Sequence, residues 1–391
     1  MPLPLYLLAV AVFAMGTSEF MLAGLLPDIA SDLGVTVGAA SSLTSAFAVG
    51  MVVGAPLMAA LARNWPRRSS LFGCVVVFLT AHAVAAVTSS FAVLFATRVV
   101  AALANAGFLA VALTTATTLV APERKGRALA VLLSGTTAAT VVGVPGGAVL
   151  GAALGWRATF WGVAVLCLPA AVGILWGLPG CARKACVPAL RAEFARLRSR
   201  RLIVVMVLGA LVNAATFASF TFLAPVVTDT AGLGELWISV VLVLFGAGSF
   251  TGVAFAGKWS DRRPGPVVAV GGPLLLVGWA ALAVLADRPA ALLVLAFVQG
   301  ALSFALGSTL ITQILYEAGA EAPTMAGSYA TAALNVGAAA GPLVAATTLH
   351  SEAGNLGPLW VSALLVLAAL LLALPFRKVM RAAQGGESPL L

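Results

Sequence analysis

Charged residues are scarce in this sequence of 391 residues. Asp, Glu, Lys and Arg make up 9% of it, whereas they make up about a quarter of a soluble globular protein. Hydrophobic residues make up 61%, and the mean hydropathy is +1.08. This shortage of charge excludes a soluble globular domain and indicates an integral membrane protein.

Residues that carry catalysis or bind metals are also few, with 2 His and 4 Cys in the whole chain. They form no metal-ligand cluster, and no nucleophile is paired with a base in a recognisable pattern. The spacing of Cys181 and Cys186 lacks the second ligand pair of a zinc site. We therefore expect no enzyme activity, no metal and no cofactor. A channel is disfavoured because the apolar runs lack repeated polar or charged rings.

Long apolar runs account for most of the chain. A window of about 20 residues, the length that crosses a bilayer as a helix, predicts twelve spans. They cover residues 4–26, 41–62, 70–88, 91–119, 128–152, 158–178, 202–226, 236–257, 266–286, 290–315, 326–349 and 357–376. The fold class predicted is an all-α integral membrane protein. No Lys or Arg precedes the first span, so we expect it to be retained rather than removed as a signal peptide.

Positive charge is distributed unevenly among the connections between spans. Of the 22 Lys and Arg, Arg98 lies inside a span, Arg157 and Arg288 lie in one set of connections, and all the others lie in the alternate set. Basic connections face the cytoplasm. We therefore expect a multi-pass protein of the inner (cytoplasmic) membrane with both termini in the cytoplasm. The net charge of +9 then reflects topology, and no nucleic-acid partner is expected.

The two halves of the chain carry matching Pro and Gly residues. An offset of 198 pairs Pro27 with Pro225, Gly54 with Gly252, and Gly143 with Gly341. We expect an N-terminal six-helix bundle at 1–178, a cytoplasmic basic linker at 179–201, a second six-helix bundle at 202–376 and a cytoplasmic tail at 377–391. Part of the linker is predicted to form a short amphipathic helix against anionic lipid. Two such parallel repeats resemble the plan of major-facilitator transporters.

Loop motifs strengthen this resemblance. The stretch from Gly257 to Arg262, GKWSDR, looks like the superfamily's motif after the second helix of a half, where an Asp-Arg pair latches the cytoplasmic side. In the first half Arg67 and Arg68 match the motif, but Arg63 stands where the pattern has Asp. For Arg67 and Arg68 a plain topology signal and a gating role both remain open.

A Pro-Gly motif lies in the fifth span. Residues 143–147 read GVPGG, similar to the antiporter motif of drug/proton exchangers except that Val144 replaces a Gly. Proline removes a backbone hydrogen bond and bends a helix, so either a packing bend or a hinge fits. The resemblance assigns gating or motif positions to Gly54, Arg67, Arg68, Gly143, Pro145, Gly147, Gly257, Asp261, Arg262, Gly341 and Pro342.

One acid and one base lie within the predicted spans. Glu19 is the only such acid of 13, and Arg98 the only such base of 22. Each charge costs roughly 2.5–3.5 kcal/mol at the centre of a membrane helix. At 1.5 Å per residue, both are predicted about 12 Å from the outer surface. We hypothesise that they face a central cavity, interact directly or through one water, and carry the coupling proton on Glu19. A static salt bridge is the alternative.

Helical spacing and the repeat predict which residues surround this pair. The predicted substrate surface consists of Met15, Phe20, Asn105, Phe108, Asn213, Phe217, Phe220, Gln299 and Ser303. Apolar walls with a few amides suit a small, largely neutral amphipathic molecule. For each of these residues, packing between helices is the alternative interpretation.

The motifs together extend over nearly the whole chain. GTSEFMLAGLLPDIASDLGV at 16–35, the Arg98 helix, GVPGG followed by GWRATFW, and AGKWSDRRP resemble the drug/proton antiporter family, in particular actinobacterial chloramphenicol-resistance exporters. The resemblance implies export of chloramphenicol or a related drug against proton entry, by a monomer in the lipid bilayer. A sugar or metabolite exporter of the same fold remains the alternative, since the predicted amides also suit hydroxyl groups.

Overall fold

The computed structural model describes residues 2–35, 37–61, 65–177, 190–234, 236–259, 264–319, 322, 325–349 and 353–382. These residues form helices and their connections, without strands. Ten helices within them are long and apolar enough to cross a membrane. Two shorter apolar helices, Leu3–Glu19 and Ser42–Met58, occupy the first and second predicted spans. The helical pattern therefore follows the hydropathy closely.

The described part of the first half contains eight α-helices. They are α1 (Leu3–Phe20), α2 (Leu26–Leu33), α3 (Val37–Leu61), α4 (Arg67–Val87), α5 (Phe91–Thr118), α6 (Lys125–Ala138), α7 (Val144–Leu154) and α8 (Trp156–Gly177). The remaining segments are α9 (Leu190–Ala195), α10 (Arg200–Thr221), α11 (Leu223–Pro225), α12 (Leu236–Trp259), α13 (Pro264–Val284), α14 (Pro289–Gly319), α15 (Ala326–Ala346) and α16 (Gly357–Ala382).

Helices pack mainly within their own half. In the first half α1 packs on α6 and α8, while α3 and α4 pack on α5. In the second half α12 packs on α14, and α10 packs on α15 and α16. The halves meet where α6 contacts α12 and where α3 and α5 contact α15. A central space is thus enclosed between helices of both halves.

Glycine permits the closest of these contacts. A Cβ at Gly252 of α12 would lie 2.8 Å from the Cα of Ala301 in α14, and one at Gly341 of α15 would lie 2.9 Å from the Cα of Ala214 in α10. Backbone cannot yield as a flexible side chain can. Small residues therefore set the helix spacing in a bilayer, where van der Waals contact replaces the hydrophobic effect between helices.

The sequence predicted one continuous helix for the first span, but the structure shows a break in it. Helix α1 ends at Phe20, a 3₁₀ turn covers Met21–Gly24, and α2 begins at Leu26. Pro27 lies in the first turn of α2, where its missing N–H is tolerated. Glu19 thus belongs to the last turn of α1. Its depth was counted along an unbroken helix to Pro27 and stays a prediction.

The fifth span is interrupted at the predicted Pro-Gly motif. Helix α6 ends at Ala138, a π-helical stretch covers Ala139–Gly143, and α7 begins at Val144 with a proline in its first turn. Such a wide turn is a common response to a lost i→i−4 hydrogen bond. The counterpart Pro342 lies inside the unbroken α15. The corresponding motif of the second half therefore leaves its helix unbroken.

The described part of the basic linker, residues 190–201, contacts α15. Glu193 of α9 is fully buried, and its Oε2 accepts the backbone N–H of Met325 at 2.9 Å. The hydroxyl of Tyr329 donates to the backbone carbonyl of Glu193 at 2.8 Å. We name these three residues the linker clamp. Helix α9 is short and is fixed to the start of α15, and the predicted contact of this segment with anionic lipid stays a prediction.

Candidate functional site

A central cavity of about 120 Å³ lies between the halves. Its wall comes from α1, α3, α5 and α6 on one side and from α10, α12, α14 and α15 on the other. Most of the wall is apolar, including Met51, Leu109, Phe304 and Ile311. The polar residues in the wall are Glu19, Asn105, Thr136, Asn213, Thr216, Ser303, Ser308, Thr331 and Asn335.

Five residues predicted from the sequence line this cavity. Glu19, in the last turn of α1, lines the cavity and is partly exposed. Asn105 projects from α5, and Ser303 projects from α14. Asn213 and Phe217 face it from α10, where the Asn213 amide donates to the Leu334 carbonyl at 2.7 Å. The structure thus brings the carboxyl group, two amides, a hydroxyl and an aromatic ring together.

Four other predicted contacts are not part of the cavity wall in the described structure. Met15 and Phe108 are fully buried in the core. Gln299 turns toward α13, where its Nε2 donates to the Leu275 carbonyl at 3.1 Å. The ring of Phe220 packs behind the wall against other aromatic rings. The side chain of the remaining predicted residue, Phe20, lies outside the described residues.

Sequence reasoning missed several polar residues of the wall. Thr331 and Asn335 lie four residues apart on one face of α15, and the Asn335 amide donates to the Thr331 carbonyl at 2.9 Å. Thr136, Thr216 and Ser308 add hydroxyl groups. The i, i+4 spacing of Thr331 and Asn335 was the one signal that would have found part of this set.

Three buried polar atoms of the wall lack a hydrogen-bond partner in the described structure. They are Asn105 Oδ1, Ser303 Oγ and Ser308 Oγ. A buried polar group without a partner costs about 1–3 kcal/mol. A bound molecule with hydroxyl or amide groups would satisfy these atoms. All three atoms belong to residues of one cavity wall.

The pair of charged residues is close but not joined directly. No Glu19–Arg98 contact within 4 Å occurs among the described residues. Instead, the Arg98 guanidinium donates to Ser18 Oγ at 2.7 Å and to the Ser18 carbonyl at 3.3 Å. It also lies 4.3 Å from the centroid of the Phe47 ring. The two opposite charges still interact electrostatically. Of the two predicted arrangements, direct contact does not occur among the described residues, and contact through one water stays a prediction.

One arginine of the first-half loop motif, Arg67, lies at a second cavity of about 370 Å³. Arg67 lines it and donates to Thr118 Oγ1 at 2.5 Å, while Arg68 is partly buried nearby in sequence. Lys125 and Tyr316 also line this cavity, with the ammonium 5.4 Å from the ring centroid. The second-half motif residues Asp261 and Arg262 lie outside the described residues.

The glycines assigned to motif positions occupy tight helix contacts. Gly54 faces Leu103 and Ala106 of α5. Gly143 meets Thr17 of α1, and Gly147 meets Met21. Gly257 meets Ala130, which belongs to the other half. The side chain of Pro145 lies outside the described residues. These contacts fit packing as well as gating.

A polar cluster lies at the start of α8 in the first half. Arg157 donates to the carboxylate of Asp32, to which Trp156 Nε1 also donates at 3.2 Å. The Arg157 Nη2 atom donates to the Thr88 carbonyl at 3.1 Å. The hydrogen bond from Arg157 holds the pKa of Asp32 below its usual value. This cluster ties α2 and α4 to the start of α8.

The fold, the membrane helices and the cavity between two helix bundles together define a multi-pass membrane transporter for small molecules. The sequence profile of the Major Facilitator Superfamily matches residues 8–342. The protein belongs to that superfamily. It is therefore a transporter and not an enzyme, and the predicted all-α fold of this type is confirmed.

Curated relatives and solved structures agree with this assignment. The chain is 75% identical over 391 residues to a chloramphenicol resistance protein of Streptomyces lividans, covering 99% of this chain and 100% of that protein. It is 30% identical over 378 residues to the inner membrane transport protein YdhP of Escherichia coli (strain K12), covering 96% of each. The fold resembles the human organic anion transporter MFSD10 (TM-score 0.73, 19% identity, 95% and 97% coverage). It also resembles the transporter FucP in its outward conformation (TM-score 0.75, 15% identity, 96% and 98% coverage).

Proposed function

We propose that the protein is a proton-coupled antiporter that exports chloramphenicol or a similar small neutral amphipathic drug and so confers resistance. The observation that carries this proposal is the central cavity, where one carboxyl group, Glu19, meets apolar walls and unpartnered amide and hydroxyl groups. Apolar contact with a few fixed polar groups suits an amphipathic solute. The identity to the Streptomyces lividans resistance protein supports the choice of drug.

The proposed coupling uses competition between a proton and the drug in one cavity. Glu19 gains a proton when the cavity opens outward and loses it when the cavity opens inward. Arg98, on α5, offsets the cost of burying the Glu19 anion. One proton per drug molecule and a gradient of one pH unit correspond to about 1.4 kcal/mol, which sustains a roughly tenfold drug ratio across the membrane.

The test is drug transport in proteoliposomes with an imposed pH gradient. Wild type should accumulate chloramphenicol uphill, approaching a roughly tenfold ratio per pH unit. Glu19→Gln should still exchange labelled drug without a gradient but should not accumulate it. The matched control is Glu123→Gln, because Glu123 is an exposed carboxylate away from the cavity. Accumulation by Glu19→Gln equal to that of wild type would refute the assigned role.

We further propose a monomer in the inner membrane, with both termini in the cytoplasm and the division at 1–178, 179–201, 202–376 and 377–391. The uneven distribution of Lys and Arg supports this orientation. The contacts between α6 and α12, and between α3 and α15, support one chain as the complete unit. A cysteine is introduced into the tail, and intact cells are treated with a thiol reagent that does not cross the membrane. Labelling of that cysteine would contradict the orientation.

The gating proposal concerns the contacts between the halves. One such contact joins Gly257 to Ala130 of the other half, and Arg67 lines the second cavity. Rocking of the halves would change the distances between the residues at these places. We propose that these residues seal one side of the transporter in one state of the cycle. Gly257→Leu should therefore slow exchange of labelled drug while leaving equilibrium drug binding in place.

A further inference from the structure

A buried histidine contacts the serine to which the Arg98 guanidinium donates. His82 lies in α4 and is 1% exposed, and its Nε2 lies 2.7 Å from Ser18 Oγ. Ser18 is fully buried and receives the Arg98 guanidinium at 2.7 Å. We name Ser18, His82 and Arg98 the Ser18 network. It connects α1, α4 and α5 immediately beside Glu19.

The proton positions in the Ser18 network follow from its acceptors. His82 Nδ1 lies 2.8 Å from the Phe78 carbonyl, which can only accept, so Nδ1 carries a hydrogen. In a neutral ring Nε2 then has a lone pair and must accept. Ser18 Oγ therefore donates to His82 while accepting from Arg98. A second proton on His82 would remove the acceptor of the Ser18 hydroxyl and place two cations close together.

The end of α1 explains why Arg98 is drawn to Ser18. Helix α1 stops at Phe20, and the last carbonyls of a helix lack an intrahelical partner. Arg98 Nη2 donates to one of these, the Ser18 carbonyl, at 3.3 Å. A cation at this position also suits the negative end of the helix dipole. Arg98 is thus held at Ser18, the residue that precedes Glu19 in the sequence.

We propose that His82 is a positioning residue which acts through the Ser18 hydroxyl to hold Arg98 off Glu19, and so sets the pH at which transport operates. This inference rests on the proposed proton coupling. The charged groups facing the network are Glu19 of α1 and Arg98 of α5. From α8 it meets the ring of Phe160, whose centroid lies 5.7 Å from that of His82.

The arrangement separates this role from proton relay by His82. A relay needs a ring nitrogen that exchanges protons with the cavity, but both ring nitrogens of His82 are already engaged, one by Ser18 and one by Phe78. The positioning role needs only an acceptor at the Nε2 position. Glutamine supplies an acceptor there without titrating, whereas phenylalanine keeps the ring shape and supplies none.

The experiment measures proton-driven drug uptake as a function of internal and external pH in proteoliposomes. Loss of the acceptor in His82→Phe frees the Ser18 hydroxyl and lets Arg98 approach Glu19, and a direct ion pair makes the carboxylate harder to protonate. The midpoint of the pH profile should therefore move to lower pH by about one unit. The conservative variant His82→Gln should keep the wild-type midpoint.

Ser18→Ala provides the same test with a smaller change if His82→Phe fails to fold. It should shift the midpoint in the same direction, and the double variant should shift no further than either single one, because all three remove the same interaction. Equal shifts for His82→Gln and His82→Phe, or no shift for Ser18→Ala, would overturn the positioning role. If wild type shows no proton-driven uptake, the proposed function itself fails, which is a distinct result.

Discussion

The linker clamp can be opened one hydrogen bond at a time. Tyr329→Phe removes the bond to the Glu193 carbonyl, a net loss of about 0.5–1.5 kcal/mol. Glu193→Ala leaves the buried Met325 N–H without its acceptor, at a cost of about 1–3 kcal/mol. Converted at about 1.4 kcal/mol per factor of ten, the open fraction rises roughly two- to twelvefold and roughly five- to 140-fold respectively.

Limited trypsin digestion in detergent measures this opening. Arg196 and Arg198 follow the clamp directly, in the 3₁₀ turn after α9. When the segment opens and closes faster than it is cut, the cleavage rate tracks the open fraction. Cleavage after Arg124, in an exposed turn of the first half, provides the internal standard. The two variants should be cut faster by the factors above, in that order.

Glu193→Gln is the matched control for the clamp. Its amide oxygen can still accept the Met325 N–H, so cleavage should stay close to the wild-type rate and far below that of Glu193→Ala. If all variants are cut at the same rate relative to Arg124, the linker is not held by these bonds and the reasoning is refuted.

Three further variants test other parts of the structure. Gly252→Ala should lower stability by about 1–3 kcal/mol in thermal unfolding, because its Cβ meets the Ala301 backbone, whereas Gly73→Ala, with nothing within 4 Å, should not. Asn105→Leu should weaken drug binding roughly five- to 140-fold in equilibrium binding, since the unpartnered Oδ1 is the expected acceptor. The pKa of Asp32 is lowered in the fold, so its ion pair contributes stability above the usual pKa and loses it as pH falls through the lowered pKa. The difference in Tm between wild type and Asp32→Asn should accordingly shrink on acidification, and a difference independent of pH would contradict this.

The spans were predictable because crossing a bilayer demands long apolar runs. Helix α5, at Phe91–Thr118, ends one residue before its predicted limit at 119. The break after Phe20 was not predictable in the same way, because the apolar run continues through Met21 and Leu22 and hydropathy is blind to a 3₁₀ turn. Pro27 marked a helix start rather than the end of a span.

The orientation of each helix was much harder to predict. Spacing placed Met15 and Phe108 beside the charged pair, yet both lie in the core. In a membrane protein the lipid face and the packed face are both apolar, so the pattern of apolar residues carries little information about which face is which. Polar residues carry more information, and three of those predicted for the substrate surface, Asn105, Asn213 and Ser303, line the central cavity. Gln299 found a backbone carbonyl instead.

Ser18 shows why the network around Arg98 was missed. A single serine next to Glu19 is unremarkable in a sequence, since small hydroxyl residues are common in membrane helices. Its importance comes from the free carbonyl at the end of α1 and from His82 on another helix, and both depend on tertiary structure.

The π-helical stretch at Ala139–Gly143 has a mechanical consequence. It contains one surplus residue per turn relative to the α-helix, and passing that surplus to the next turn rotates the residues between by about 100°. Within it, Val141 touches Gly246 of the other half. Such a rotation would turn α7 relative to α6 at the level where the two halves meet.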